Sequence, residues 1–196
     1  LSDSSAIVRG FAIEAIGRVR EDRALTALRD YIVKAGKKNV DVLILAVARI
    51  GSPDDRDLFR QHLTGRSVVG RRAAIEGLGR IGDRDSIEAI SQLMKTEKSE
   101  EVKLAAAFAL QLLGQTQTHV IASTMVLEKQ RMQAQEYLFE LGRVAVPGIA
   151  AALNVAIDSR HRSDLLQCVG YLGNVDDITI VEPFLKDRDD RVIRAA

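Results

Sequence analysis

The sequence predicts an all-α fold, an α-solenoid in which about six helix pairs stack into a right-handed superhelix. Three observations predict this fold. A short frame recurs about every 31 residues, and fixed periods of about 20–50 residues are typical of stacked repeats. Apolar residues within each repeat recur at the spacing of a helix. Hydrophobic residues make up 46% of the 196 residues and aromatic residues only 4%, which favours a core of small aliphatic side chains.

The recurring frame is clearest where Arg80-Ile81-Gly82 ends a predicted helix. We call the last residue of the frame the anchor. A glycine there can end a helix with a positive φ at no steric cost, and the polar residues that follow favour the start of the next helix. Each anchor therefore marks the turn between the two helices of a pair. The anchors are Arg20, Gly51, Gly82, Gly114, Gly142 and Gly173.

Each predicted pair has a first helix before its anchor and a second helix after it. In the first helices, apolar residues form one stripe at twelve, eight, five, four and one positions before the anchor. In the second helices they lie seven, eight, eleven and twelve positions after it. The first pair has Val8, Ala12, Ala15, Ile16 and Val19, then Ala27, Leu28, Tyr31 and Ile32; the second helix of the sixth pair has Ile180, Val181, Phe184 and Leu185. The predicted spans are 5–19 with 22–34, 39–50 with 53–64, 67–81 with 84–95, 99–113 with 116–127, 129–141 with 144–155, and 158–172 with 176–186.

Small residues also recur three positions before the anchor. A glycine inside a helix costs about 1 kcal/mol relative to alanine, so its recurrence predicts that a neighbouring backbone comes close there. The fourth and fifth pairs break the pattern with Gln111 and Phe139. The small residues are Gly17, Ala48, Gly79 and Gly170.

Several local patterns carry a family resemblance. Val8-Arg9, Val102-Lys103 and the run Gly77-Leu78-Gly79-Arg80-Ile81-Gly82-Asp83 resemble HEAT repeats over nearly the whole chain. The subtype named after phycobilisome lyases is the most similar, and the stretch Val144-Ala145-Val146-Pro147-Gly148-Ile149 resembles the start of its second helix. The resemblance implies HEAT-like helix pairs in an armadillo-like superhelix. Such repeats occur in scaffolds, lyase subunits and regulators.

We expect residues 1–196 to form a single solenoid domain, because stacked repeats share one continuous core. The chain ends with Val192-Ile193-Arg194-Ala195-Ala196, which resembles the opening of a seventh repeat, so we expect a piece of a longer protein. A lone cysteine, the lack of an apolar run of about 18 residues and the lack of a visible signal peptide lead us to expect a cytoplasmic protein without a membrane span.

Two glycine motifs resemble nucleotide-binding strings but lack their context. Gly77-x-Gly79-x-x-Gly82 lies at the C-terminal end of a predicted helix, where the helix dipole is negative, whereas the dinucleotide motif places its glycines before a helix. The stretch 65–72 resembles a phosphate-binding loop, but Arg71 and Arg72 stand where lysine and serine or threonine are required. We therefore predict no nucleotide site.

The remaining reactive side chains favour structural roles. No histidine has a second histidine or cysteine at metal-ligand spacing, and Cys168 lies in the apolar column of the first helices. The acidic cluster near the end lacks the glycine and the distal glutamate of a calcium loop. We predict no catalytic residue, no cofactor and no metal. The residues considered are His62, His119, His161, Cys168, Asp187, Asp189 and Asp190.

Basic residues form two columns in the repeat frame. Arg18, Arg49 and Arg80 lie two positions before the anchor, where Glu14 and Glu76 provide pairs one helical turn earlier. A second column lies eleven positions before the anchor, where we expect a ladder of ion pairs with acidic residues of neighbouring repeats. We interpret both columns as structural, although the first could also form an anion-binding strip. The second column is Arg9, Arg71, Lys103, Arg131 and Arg162.

A candidate partner surface lies on the second helices, at six, nine, ten and thirteen positions after the anchor. These positions are expected to face away from the core, towards the concave surface. They are polar in the second and third pairs and apolar or small in the fourth and fifth, and exposed apolar patches often mark contacts. The alternative is that the short step between Gly114 and Gly142 rotates these helices and buries the patch. The predicted partner groove is Val120, Leu127, Ala151, Ala152 and Val155, with Gln92 and Lys95 as its polar rim.

These observations favour a non-enzymatic scaffold or regulatory module that binds another protein on its concave surface. The alternative, which the family resemblance implies, is a lyase-type subunit that handles a bilin or a similar cofactor on a client protein. A net charge of +1 and the absence of tryptophan argue against a nucleic-acid partner.

Overall fold

The computed structural model describes residue 1 and residues 3–34 and 40–196. These residues form α-helices joined by turns and short 3-10 helices, and the described ranges contain no β-strand. The all-α fold of HEAT-like helix pairs that the sequence predicts is therefore confirmed. The helices are α1 (Ala6–Val19), α2 (Leu25–Lys34), α3 (Val40–Ile50), α4 (Arg56–His62), α5 (Val68–Arg80), α6 (Ile87–Thr96), α7 (Glu100–Leu112), α8 (Thr118–Thr124), α9 (Arg131–Leu141), α10 (Val146–Val155), α11 (Ser159–Leu172), α12 (Ile178–Val181) and α13 (Asp190–Ala195).

The predicted spans agree with the helices to within a few residues except in the last pair, where α12 ends at Val181 and the rest of the predicted span is the 3-10 helix Glu182–Lys186. Two smaller kinds of difference occur elsewhere. Most second helices begin with a 3-10 turn, as at Pro53–Asp55 before α4 and Arg84–Ser86 before α6. The helix α8 ends at Thr124, three residues before its predicted end, because the chain turns there towards α9. The predicted start of the second pair, Asn39, lies outside the described residues.

The turns at the anchors have the left-handed backbone that the glycines predict. Arg20 adopts this conformation without being glycine, and it caps α1 with backbone bonds to Gly17 and Ile16. The last anchor, Gly173, differs, because its φ is −78°. There a Cβ would lie 2.7 Å from the carbonyl oxygen of Val169, so close packing and not φ favours glycine. The positive φ values are 54° at Arg20, 78° at Gly51, 70° at Gly82, 94° at Gly114 and 63° at Gly142.

The described residues divide into two compact units, Leu1–Leu113 and Gly114–Ala196. In the first unit, α1, α3, α5 and α7 pack one against the next, and α2, α4 and α6 pack against α3, α5 and α7. A Cβ on Gly17 would lie 2.8 Å from Cα of Ala46, and one on Gly79 would lie 2.7 Å from Cα of Ala109. The predicted close approach of a neighbouring backbone is confirmed at both glycines, but it is wrong at Gly170, where an added Cβ would meet no atom within 4 Å.

In the second unit, α8 packs against α10, and α11 packs against α13. Gly148 of α10 lies against Thr118 at the start of α8, so closely that a Cβ would be 2.6 Å from the backbone nitrogen of His119. Phe139 of α9 occupies the position that is glycine in α1 and α5, and its ring meets Tyr171 of α11 edge to face at 5.8 Å. A bulky residue there replaces the close backbone contact with an aromatic pair.

Some predicted core positions are exposed at the two ends of the described chain. Val8, Ala15 and Val19 of α1 are exposed, because α3 packs on the opposite side of α1, where Ile13 and Gly17 are buried. Ala27 is also exposed, and Leu185 is half exposed. The sequence predicts the apolar stripe correctly, but burial of the stripe requires a neighbouring helix on that side.

Candidate functional site

The second helices of the first unit present polar side chains to solvent. On α4 and the turn after it, all four positions of the candidate column are exposed, and on α6 three of four are exposed and Ser91 is half-buried. As predicted, the exposed positions of this column face away from the core in these helices. The exposed residues are Asp57, Arg60, Gln61 and Thr64 in the second pair, and Glu88, Gln92 and Lys95 in the third.

Arginines of α2 and α4 bind acidic residues in the turn within the next helix pair. Arg29 of α2 donates from Nε and Nη2 to Asp55 at 2.7 and 2.9 Å. Arg60 of α4 donates in the same way to Asp83 at 2.9 and 2.8 Å, and Ser86 also donates to Asp83. Burial alone would raise the pKa of Asp83, but the hydrogen bonds from Arg60 and Ser86 outweigh it and hold the pKa below its usual value.

The second unit has no arginine at the matching positions of α8 and α10. Nine residues after the anchor, where the first two pairs have Arg29 and Arg60, the fourth and fifth pairs have Ser123 and Ala151. We call the exposed or half-buried apolar side chains Val120, Leu127, Ala151 and Val155 the α8–α10 surface. Val155 is 74% exposed and Leu127 40%, Ala151 is exposed and Val120 is half-buried.

One residue of the predicted groove lies in the core. Ala152 is only 2% exposed, so it cannot line a surface open to a partner. Gly148, one turn earlier on α10, packs against Thr118 of α8. The small residues on this side of α10 thus allow α8 and α10 to approach each other. The sequence analysis had instead placed Ala152 in the groove for a partner.

Sequence reasoning missed two exposed residues beside Ala151. Val144 is 64% exposed and Pro147 is exposed, and both share helical spacing with Ala151 and Val155. Counting back from Val155 in steps of four, four and three would have found them. The predicted rim residues Gln92 and Lys95 are exposed on α6, in the first unit.

The arginines eleven positions before the anchor tie loops to first helices. Arg71 donates to the carbonyl oxygens of Gly65 and Arg66 at 2.9 and 3.0 Å and pairs with Glu97 at 2.7 Å. Arg162 repeats this geometry with Ala156, Ile157 and Asp187. The predicted pairing with a neighbouring repeat is confirmed at Arg131, which lies 3.0 Å from Asp164 of α11, whereas Lys103 pairs with Glu100 of its own helix. This column is structural.

The arginines two positions before the anchor also have structural partners. Arg18 pairs with Glu14 at 3.1 Å, and Arg80 with Glu76 at 2.8 Å, which confirms the predicted pairs one turn apart. Glu76 is buried and also accepts from Arg72. Arg80 further lies over the ring of Phe108, 5.1 Å from its centre. Because these groups satisfy one another, they do not form an open anion site.

Each glycine of the dinucleotide-like string has a structural explanation, either close packing or a positive φ. Three ring carbons of Phe59 would lie 2.7 Å from a Cβ on Gly77. Gly79 lies against Ala109, and Gly82 has the positive φ of the turn. In the phosphate-loop-like stretch, Ser67 caps α5 by accepting from the backbone nitrogen of Gly70. Neither string forms a nucleotide cradle.

His62, His161 and Cys168 match the structural interpretation. His161 is buried, and its Nε2 lies 3.1 Å from the carbonyl oxygen of Ala122, so we assign the proton to Nε2. Nδ1 of His62 lies 2.8 Å from the carbonyl oxygen of Leu58, and His119 is exposed. Burial raises the pKa of Cys168 to about 12, so its thiol is protonated at neutral pH. Among the described residues, no group of three or more metal-binding side chains comes together.

One stretch, Arg131–Val155, is long and apolar enough to cross a membrane by length and composition alone. In the structure this stretch is α9 followed by α10, because Gly142 interrupts it with φ 63° and ψ −143°. Tyr137 and Leu138 of α9 and Ile149 of α10 are buried in the unit. Buried core helices commonly meet the same criterion, so the stretch is weak evidence for a span.

Comparison with known proteins identifies the repeat type. Residues 57–127 match the family model described as HEAT repeats. No curated protein matches the sequence. Among solved structures, the chain is similar to human deoxyhypusine hydroxylase in complex with glycerol, with a TM-score of 0.40 and 15% identity over 99% of this chain and 78% of that chain. A likeness this distant carries no conclusion about activity.

Proposed function

We propose that the chain is a protein-binding module and that the α8–α10 surface contacts its partner, because residues 57–127 match the model of HEAT repeats. Stacked repeats commonly present extended surfaces that bind other proteins. The observation that carries the proposal is the exposure of Val155 and Ala151 on α10 and of Leu127 in the turn after α8, at positions that are polar in the second and third pairs. Burying apolar surface contributes about 25 cal/mol per Å² before the entropic costs of association.

The exposure of Ala151 and Val155 allows the surface to be tested without disturbing the core. The double variant Ala151→Asp with Val155→Asp places two charges on the surface, and we expect it to fold with unchanged helical circular dichroism. We expect it to lose the proteins that the unaltered chain captures from its source extract, as measured by quantitative mass spectrometry. The matched control is Gln61→Asp with Thr64→Asp, which changes exposed positions after α4 and should retain them.

Two outcomes would contradict the proposal. If the double variant loses helical signal, Ala151 and Val155 support the core. If it folds and captures the same proteins as the control, the partner binds elsewhere on the chain.

The resemblance to the phycobilisome-lyase subtype leaves a finer alternative, a subunit that handles a bilin on a client protein. Incubation of the purified chain with a bilin, followed by gel filtration, tests it. A visible absorbance band that co-elutes with the chain would support this alternative. The protein-binding proposal is tested independently by the capture experiment.

A further inference from the structure

An apolar stripe on α1 faces solvent along most of the helix. Phe11 is 68% exposed and Val19 73%, and Val8 and Ala15 are also exposed. We call Val8, Phe11, Ala15 and Val19 the α1 outer stripe. The opposite side of α1, with Ile13 and Gly17, packs against α3.

The same stripe is buried in α7, which has the same register. Val102, Ala105, Ala109 and Leu113 match the four residues of the α1 outer stripe, and all four are buried. The helix α5 packs on α7 at this stripe and brings Gly79 to within a van der Waals contact of the Ala109 backbone.

The contact between α1 and α3 repeats this arrangement. Gly17 of α1 lies against Ala46 of α3, and Ala46 occupies the column of Ala15 and Ala109. In each of these contacts a glycine, three positions before its anchor, meets an alanine, five positions before the next anchor. Ala15 has the alanine of this contact but is exposed.

We propose that the α1 outer stripe is a docking surface for a further helix pair of the same repeat type. Its first helix would lay an aliphatic stripe on Val8, Phe11 and Val19 and bring a glycine to Ala15. The surface continues the helix-to-helix interface already formed by α1 with α3 and by α5 with α7. A second copy of α1, related by a two-fold axis, would oppose Ala15 with the same stripe, which contains no glycine.

A fusion protein tests the docking. Residues 1–4 are replaced by a copy of residues 67–98, so that the copied Lys98 directly precedes Ser5, as Lys98 precedes Ser99 in the chain. Ser5 and Ser99 both occupy the N-cap position of a first helix, so the register is kept. The copied α5 then precedes α1 by one helix pair in the chain, as the original α5 precedes α7. In a second fusion, the copied Gly79 is replaced by leucine.

Thiol labelling reports whether the added pair covers the stripe. The variant Ala15→Cys is made in the unaltered chain and in both fusions, and its labelling by a maleimide is timed at pH 7. Cys168 is buried and its pKa is about 12, so it does not compete. We expect labelling to slow at least about tenfold in the fusion, and by much less when the copied Gly79 is leucine. The matched control is Ala89→Cys on the original α6, an exposed site that should label equally in all three proteins.

Thermal unfolding gives a second readout. We expect the fusion to raise Tm by at least about 4 °C, because buried apolar surface is added to a stack in which each pair is stabilised by its neighbours. Equal labelling of Ala15→Cys in the fusion and the unaltered chain would overturn the proposal, whether or not the added pair folds. Protection of Ala15→Cys that grows with concentration in the unaltered chain would show a dimer at the stripe instead, and would also overturn it.

Discussion

On α4, the residue nine positions after the anchor is Arg60, and on α10 it is Ala151. Both positions are exposed, and both belong to second helices of the same repeat frame. Arg60 holds the buried carboxylate of Asp83 in the following turn. Ala151 leaves its helix surface open and uncharged.

The comparison shows that the repeat frame determines which positions of a helix are exposed. It does not determine which contacts stabilise that helix against its neighbours. In the first unit, arginine–carboxylate pairs tie α2 and α4 to the turn within the next helix pair. In the second unit, α10 is held against α8 by the close contact of Gly148 with Thr118. Because that contact lies on the buried side, the outer side of α10 needs no charged residues for stability. The proposed partner contact would therefore use a side of α10 that the fold does not require to be charged.

The largest expected effect breaks the contact that holds α10. Gly148→Ala places a Cβ against Thr118 and the backbone of His119, so we expect the free energy of unfolding to fall by about 2–3 kcal/mol. Urea denaturation measures this loss. Gly10→Ala on α1 is the control, because its Cβ would meet no atom within 4 Å, and it should be neutral or stabilising by up to about 1 kcal/mol. A neutral Gly148→Ala would show that α10 is held in another way.

The second effect breaks the ion pair that holds α4. Asp83→Ala removes the acceptor of Ser86 and leaves Arg60 with only the exposed Asp85, so we expect a loss of about 1–3 kcal/mol at pH 7. Because the folded pKa of Asp83 is lowered, its contribution is complete above the unfolded pKa of about 3.9 and is lost as pH falls through the folded value.

Urea denaturation at pH 7 and at pH 3 therefore tests the pair twice. The difference between the unaltered chain and Asp83→Ala should shrink at the lower pH. Asp57→Ala, an exposed site on α4, should change stability by less than about 0.5 kcal/mol. A difference that stays constant with pH would assign the loss to packing.

A third change addresses the left-handed turn that both units share. Gly82 has φ 70°, so Gly82→Val should lower the free energy of unfolding by more than about 1 kcal/mol. Gly170 lies in α11 with no atom within 4 Å of an added Cβ, so Gly170→Val should not destabilise. Thermal unfolding of the two variants side by side measures the difference, and equal melting temperatures would remove the role of φ.

The smallest expected effect on stability sharpens the comparison most directly. Ala151→Arg gives α10 the residue that α4 carries, and because the site is exposed we expect stability to change by less than about 0.5 kcal/mol. Capture of partner proteins should nevertheless fall, since a charge enters the α8–α10 surface. Ser91→Arg on the half-buried position of α6 is a matched change in the first unit. A folded Ala151→Arg variant with full capture would contradict the proposed role of the surface.

The sequence predicted the turns well because each depends on local chemistry. A residue that tolerates or adopts positive φ, followed by capping residues, is a signal that one segment carries by itself. The frame even identified Arg20, whose φ is 54° without glycine. The close contacts at Gly17 and Gly79 were also predicted, because a glycine inside a helix lowers helix stability and a close neighbour can compensate for that cost. The same reasoning was wrong at Gly170, where an added Cβ would meet no atom within 4 Å.

Burial was predicted less well because it depends on residues that are distant in the sequence. Ala151 and Ala152 are adjacent and chemically identical, yet Ala152 is buried and Ala151 is exposed. Val19 belongs to an apolar stripe that no pattern in α1 distinguishes from that of α7. Whether such residues are buried depends on the helices that pack over them and not on the residues themselves.

The left-handed turns have a consequence for how such chains change in length. The first five anchors all have a positive φ, even where arginine replaces glycine, whereas Gly173 does not. A segment cut between two of these five anchors therefore begins and ends at a residue with the same sign of φ. Duplicating or deleting such a segment keeps a positive φ at the junction, so gene rearrangement between these anchors can lengthen or shorten the protein by whole modules.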